Sequence, residues 1–148
     1  MIITTHQDQE TFVLGQKIAT KCVGGEFIAL VGELGSGKTK LIQGLAKGLG
    51  IKKRVNSPTF NVLKLYNTDN KQGIRYLCHV DAYRLHSGKE LINLGIQEFI
   101  NDSQTITVVE WAEIVKKIWP LKTNLIKIKF ISESERKIKL NGSLFSNF

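Results

Sequence analysis

The segment that most constrains this chain is Gly32-Glu33-Leu34-Gly35-Ser36-Gly37-Lys38-Thr39, which fits Gly-x-x-x-x-Gly-Lys-Ser/Thr at every specified position. The unbroken apolar run Phe27-Ile28-Ala29-Leu30-Val31 directly before it suits a strand buried on both faces. After it, Lys38 to about Leu49 reads as a helix stopped by Gly50. Strand, glycine-rich turn and helix in that order predict a phosphate-binding P-loop. Its glycines admit positive φ and close approach of the backbone, its N–H groups line a concave anion site, and the helix dipole reinforces it. Glu33, Leu34, Gly35, Ser36 and Gly37 would wrap the phosphates. Lys38 would reach the β- and γ-phosphates, and the Thr39 hydroxyl would coordinate Mg²⁺. A random chain with this Gly, Lys and Ser/Thr content would carry the octet roughly one or two times in a hundred, so the flanking strand and helix decide the reading.

Elsewhere the hydrophobic pattern supplies the other layers. Asp8 to Cys22 spaces Phe12, Leu14, Ile18, Ala19 and Cys22 near helical intervals, ending at Gly24-Gly25. Phe60 to Tyr66 and Ile74 to Asp81 read as strands joined by a polar linker, which predicts an antiparallel hairpin. Lys89 to Ile100 resembles a helix, Thr105 to Glu110 an apolar strand, and Ala112 to Ile118 a short helix ended by Pro120. Asn124 to Ile131 and Arg136 to Leu140 suit a closing strand pair. The expected fold is an α/β, three-layer P-loop NTPase-like sandwich with a mixed, partly parallel sheet and an antiparallel hairpin. Residues 1–140 are expected to form a single domain, and residues 141–148, which carry no pattern, a flexible tail.

Composition bounds the function. A hydrophobic content of 42% excludes a disordered chain. Cys22 and Cys78 stand far apart among apolar neighbours, as reduced core residues do, and belong to no Cys/His cluster. No apolar run approaches the ~20 residues of a membrane span, and the N-terminus lacks a signal-peptide pattern, so a cytoplasmic protein without membrane contact is the default. The net charge of +8 attracts anions, but Lys52-Lys53-Arg54 and Lys116-Lys117 are the only clusters and carry no interleaved aromatics. Charge alone therefore supports no more than a weak direct contact with RNA.

Using a bound phosphate requires carboxylates. Ile106-Thr107-Val108-Val109-Glu110 has the Walker B pattern with Glu110 as its acid, although strands also end in acids merely on reaching solvent. In Cys78-His79-Val80-Asp81-Ala82-Tyr83-Arg84, alternation puts His79, Asp81 and Tyr83 on one face. Asp81 could act as a general base or hold a metal-bound water. A structural network joining Asp81 to His79 or to Arg84 is the equal alternative, and the residues alone leave both open. Ser57-Pro58-Thr59-Phe60 follows the P-loop helix where nucleotide-sensing segments lie, and reads equally well as an ordinary turn.

Taken in order, the octet, Ser57-Pro58-Thr59-Phe60, His79-Val80-Asp81-Ala82-Tyr83-Arg84-Leu85 and Glu110-Trp111 resemble the TsaE (YjeE) family of small bacterial ATPases, from about Thr5 to Leu140. The resemblance implies an ATP-dependent accessory role, with the TsaB–TsaD pair, in threonylcarbamoylation of the adenosine beside the anticodon in tRNAs reading codons that start with A. It implies Asp81, Lys38 and Glu110 as catalytic residues, Thr39 and Glu110 as Mg²⁺ ligands, Trp111 beside the nucleotide, and Thr59 in a switch-like segment. Thr11 and Arg136 are expected to help enclose adenine. Lys40 and Ala82 depart from the family's usual residues, with little effect expected on chemistry. Two other functions compete. A P-loop small-molecule kinase is disfavoured because the only arginines are Arg54, Arg75, Arg84 and Arg136, with no arginine-rich lid. A basic RNA-binding module rests on net charge alone.

Overall fold

A computed structural model describes residues 1–148. Seven strands form one sheet: β1 (Ile2–Thr5), β2 (Phe27–Val31), β3 (Leu63–Asn67), β4 (Tyr76–Asp81), β5 (Thr105–Glu110), β6 (Thr123–Phe130) and β7 (Arg136–Asn141), in the order β1-β7-β6-β2-β5-β4-β3. The octet's strand β2 is central, with β5 and β6 parallel to it on either side, and β4 parallel to β5. Antiparallel strands close both ends, with β3 on β4 and the β6, β7, β1 ladder opposite. The expected mixed sheet and hairpin are both present.

Alternation along β2 divides the core in two. Ile28 and Leu30 face α1 (Asp8–Ala19) and α2 (Lys38–Gly48). Phe27 and Ala29 face α3 (Gly88–Asn93), α4 (Ile96–Ile100) and a 3-10 helix over Ala112–Ile118. Phe27, Ile28 and Leu30 are each no more than 2% exposed. Burying such a side chain contributes about 1.5–3 kcal/mol relative to leaving it in water. The sheet is thus pinned from both sides at the strand that launches the P-loop.

Several boundaries differ from the sequence reading, each for a local reason. The helix expected over Lys89–Ile100 is two helices, because Gly95 turns left-handed with φ 83°. The strand expected from Phe60 starts at Leu63, after a turn in which Val62 takes φ 63° and its N–H donates to Pro58 O at 2.7 Å. β1 had no readable signal; it forms because β7 offers a free edge, pairing Ile2 with Lys139 and Thr5 with Arg136. The expected flexible tail is instead folded back. Ser143–Phe145 forms a 3-10 turn, Phe145 is only 5% exposed, and Phe148 meets its ring edge-on at 5.9 Å. Two aromatics three residues apart in the tail give it apolar area to bury.

α1 and α2 touch backbone to backbone. A Cβ on Gly44 would sit 1.9 Å from Phe12 O, and one on Gly15 would sit 2.1 Å from Leu41 O. This close crossing sets Thr11 of α1 against the P-loop, where a Cβ on Gly37 would lie 3.9 Å from Thr11 Cγ2.

Cys22 and Cys78 are free and buried in the two cores. Burial pushes the Cys78 thiol up to about 12 and the Cys22 thiol higher still, with the charge of Glu26 adding to the latter. Both are protonated at pH 8, so the native protein is expected to be inert to an aromatic disulfide reagent, with both thiols released in guanidinium. A native thiol reacting at once would contradict this placement. No helix is long and apolar enough to cross a membrane.

Candidate functional site

The loop between β2 and α2 takes its shape from three glycines with two different jobs. Gly35 and Gly37 are left-handed, with φ of 75° and 101°. Gly32 is needed for space, since a Cβ there would lie 2.5 Å from Ile128 O. α2 starts at Lys38 with no side chain capping it, so its leading N–H groups are left for a ligand. The Lys38 ammonium donates to Gly32 O at 2.6 Å and Glu33 O at 2.9 Å, and lies 4.2 Å from the Trp111 ring centroid. Burial holds its pKa below the usual lysine value, opposed by the charges of Glu110, Glu113, Asp81 and Glu33. It has no ion-pair partner, so an incoming phosphate would supply the counter-charge.

Parallel pairing of β4 with β5 brings the two acids together, with Asp81 opposite Glu110 and His79 opposite Val108. Alternation places Leu77, His79 and Asp81 on the same face as Ile106, Val108 and Glu110, the face that α2 covers. Glu110 is 3% exposed. Its Oε1 is 2.8 Å from His79 Nε2, and its Oε2 accepts a hydrogen bond from Thr39 Oγ1 at 3.4 Å. Asp81 accepts from Ser57 Oγ, from Thr59 Oγ1 at 3.2 Å and from the Tyr83 N–H at 2.9 Å.

The network therefore differs from both pairings considered for Asp81. His79 goes to Glu110, and the Arg84 guanidinium lies 4.8 Å over the Phe60 ring. Ser57 and Thr59, readable as an ordinary turn, instead hold Asp81. Trp111 follows Glu110 in a left-handed conformation with φ 57° and leans on Tyr83 at 4.9 Å. The pairing of His79 with Glu110 was missed because it needs the β4–β5 register, which no local pattern shows.

The two residues expected near adenine occupy different surroundings. Arg136, 8% exposed, donates from Nε to Ser36 O at 3.1 Å and from Nη1 to Ser132 O at 2.7 Å. It thus braces the P-loop from behind while still lining the cleft. Thr11 is 1% exposed and its hydroxyl shares a hydrogen bond with Thr5 at 2.9 Å, so it does not line the cleft. Lys40 extends toward Phe12, 5.8 Å from that ring's centroid.

Gly35, Lys38, Thr39, Asp81, Glu110 and Trp111 line a cleft of about 490 Å³ at the C-terminal edge of the central strands. A larger groove of about 730 Å³ at the far end of α2 is walled by Lys47, Lys52, Lys53 and Arg54 but holds none of the site carboxylates. Chemistry, not volume, selects the smaller cleft. The oxygen donors at its floor suit a hard cation. No three His, Cys, Asp or Glu side chains cluster as a protein-only metal site. An ion between Thr39 and Glu110 would draw its other ligands from phosphate and water, as Mg²⁺ does.

Comparison with known proteins agrees with this architecture. The family model "Threonylcarbamoyl adenosine biosynthesis protein TsaE" matches residues 5–138. The chain is 37% identical over 134 residues to the tRNA threonylcarbamoyladenosine biosynthesis protein TsaE of Bacillus subtilis, covering 90% of this chain and 80% of that one. It is 34% identical to the Treponema pallidum protein of the same name, covering 88% and 92%. The crystal structure of Bacillus subtilis YdiB superposes with a TM-score of 0.78 at 30% identity, over 96% of this chain and 84% of that one. With the P-loop, the two strand-end acids and the segment that holds one of them in the order the resemblance required, and with the match running through nearly the whole sheet, the chain belongs to the TsaE family.

Proposed function

We propose that this protein binds and hydrolyses ATP with Mg²⁺ as an accessory subunit for threonylcarbamoylation of the adenosine beside the anticodon in tRNAs reading codons that start with A. TsaB and TsaD are its partners and tRNA is the substrate of the assembly. The observation that carries the reading is the convergence of Lys38, Thr39, Asp81 and Glu110 on one cleft at the C-terminal edge of β2, β4 and β5. The α2 N-terminus and the loop amides receive the phosphates. Lys38 exchanges two carbonyls and the Trp111 face for phosphate oxygens. Thr39 and Glu110 would hold the cation, which would supply positive charge against the phosphates. Asp81 would orient the attacking water, accepting its proton or a hydrogen bond from it, and Ser57 and Thr59 fix the carboxylate for that task.

Support for docking at the cleft comes from its lining, where Leu34 and Tyr83 are 81% and 53% exposed, and from Phe60, 86% exposed and next in sequence to the cleft's Thr59. Apolar side chains this open around a polar cleft suit a protein surface closing over the nucleotide. A kinase reading gains nothing: Arg136 is the cleft's one arginine, its hydrogen bonds go to backbone carbonyls, and Asp8 lies 3.8 Å from its Nη2.

The test is ATP hydrolysis by the purified chain, alone and with TsaB–TsaD, using Asp81→Asn. The variant is expected to bind ATP normally and to hydrolyse it about 10²-fold or more slowly. Hydrolysis undiminished in Asp81→Asn would remove Asp81 from the mechanism. Absence of any response to the pair would remove the partner assignment, and a phosphorylated small-molecule product would favour the kinase.

A further inference from the structure

His79 is placed where histidines are rarely kept without a task. It lies in β4 between Cys78 and Val80, all three 0% exposed, while its Nδ1 is buried and has no hydrogen-bond partner. Leaving such an atom unpartnered in the interior is costly. The neighbouring interior positions of β4 are held by Leu77, Cys78 and Val80, so an apolar side chain is what packing alone would select. The compensation lies on the other nitrogen, 2.8 Å from Glu110 Oε1. With a carboxylate opposite, Nε2 is the donor.

A glutamate carboxylate turns broadly about its last torsion. Fixing one oxygen fixes the plane, and Glu110 Oε2 then points at Thr39 Oγ1, 3.4 Å away. We propose that His79 is a positioning residue for Glu110, holding Oε1 so that Oε2 and the Thr39 hydroxyl are presented together to the divalent cation that accompanies the nucleotide. The inference rests on the reading that Thr39 and Glu110 serve Mg²⁺. Outer partners of this kind tune cation affinity through the ligand they orient.

The test measures binding rather than turnover. Affinity of the full-length protein for a non-hydrolysable ATP analogue is determined by calorimetry across a Mg²⁺ series and in EDTA, for wild type, His79→Leu, His79→Gln and His79→Asn. In His79→Leu the Mg²⁺ concentration giving half the affinity gain rises about tenfold or more, while affinity in EDTA is unchanged. His79→Gln, whose amide nitrogen reaches the position of Nε2, restores the wild-type Mg²⁺ dependence. His79→Asn, whose nitrogen falls near the orphaned Nδ1, does not. Equal losses with and without Mg²⁺, or Asn matching Gln, would mean that His79 only fills space and would overturn the proposal. If His79→Leu does not fold, the Gln and Asn comparison decides alone. A wild type whose nucleotide affinity ignores Mg²⁺ would overturn the underlying reading of Thr39 and Glu110 as well.

Discussion

Lys38→Ala is expected to lower Mg²⁺-dependent ATP hydrolysis by about 10²–10³-fold, the usual loss when one pre-positioned donor is removed from a developing charge. The reason lies in how the ammonium is held. It is 5% exposed, has no carboxylate bonded to it, and is poised on Gly32 O, Glu33 O and the Trp111 ring. These are partial charges, so a phosphate displaces them at little cost. The fold should survive. Two lost hydrogen bonds, at about 1 kcal/mol each, lower the melting temperature by several degrees. Lys38→Arg should not restore the rate, because a planar fork cannot occupy a pocket shaped for a compact ammonium. Steady-state hydrolysis alongside a melting curve checks both halves. Near wild-type turnover in a folded Lys38→Ala protein would remove Lys38 from the chemistry.

The largest effect on folding is expected from Gly44→Val. A Cβ there would sit 1.9 Å from Phe12 O, and what it meets is backbone, which cannot rotate away as a side chain can. The helices must part along a seam where Gly15 meets Leu41 O just as closely. Ordinary overpacking costs about 1–3 kcal/mol, so a loss of about 3 kcal/mol or more in urea unfolding is expected here. Lys47→Val, on the exposed side of the same helix, should cost less than about 1 kcal/mol. Because α2 carries the N–H groups proposed to receive the phosphates, residual folded Gly44→Val should also bind nucleotide weakly. An unchanged urea midpoint would show that the helices do not cross this closely.

What could be read from the sequence was local, and what could not was set by distant partners. β2, the loop and α2 are adjacent in the chain, and each announces itself through apolar run, glycines and helical spacing. Glu110 was legible as the end of an apolar strand, and Asp81 as a polar residue on an interior strand. Which residue answers which acid was not legible. The link from His79 to Glu110 spans 31 positions and depends on β4 lying parallel to β5 with Val108 opposite His79. The hold of Ser57 and Thr59 on Asp81 likewise requires the chain after α2 to return over the end of β4. β1 was invisible because four residues show no dependable alternation and its partner, β7, lies at the other end of the chain. Arg136 lines the cleft, and its contact with Ser36, which ties it to the P-loop 100 positions away, is likewise invisible to local pattern.

The proposed function is tested most directly by the threonylcarbamoyladenosine content of tRNA, measured by mass spectrometry in bacterial cells depleted of their own TsaE and supplied with this chain. The wild-type protein is expected to restore the modified nucleoside, and Lys38→Ala and Asp81→Asn, present at equal protein levels, are not. Full restoration by either variant would contradict the claim that nucleotide hydrolysis at this cleft is what the protein contributes.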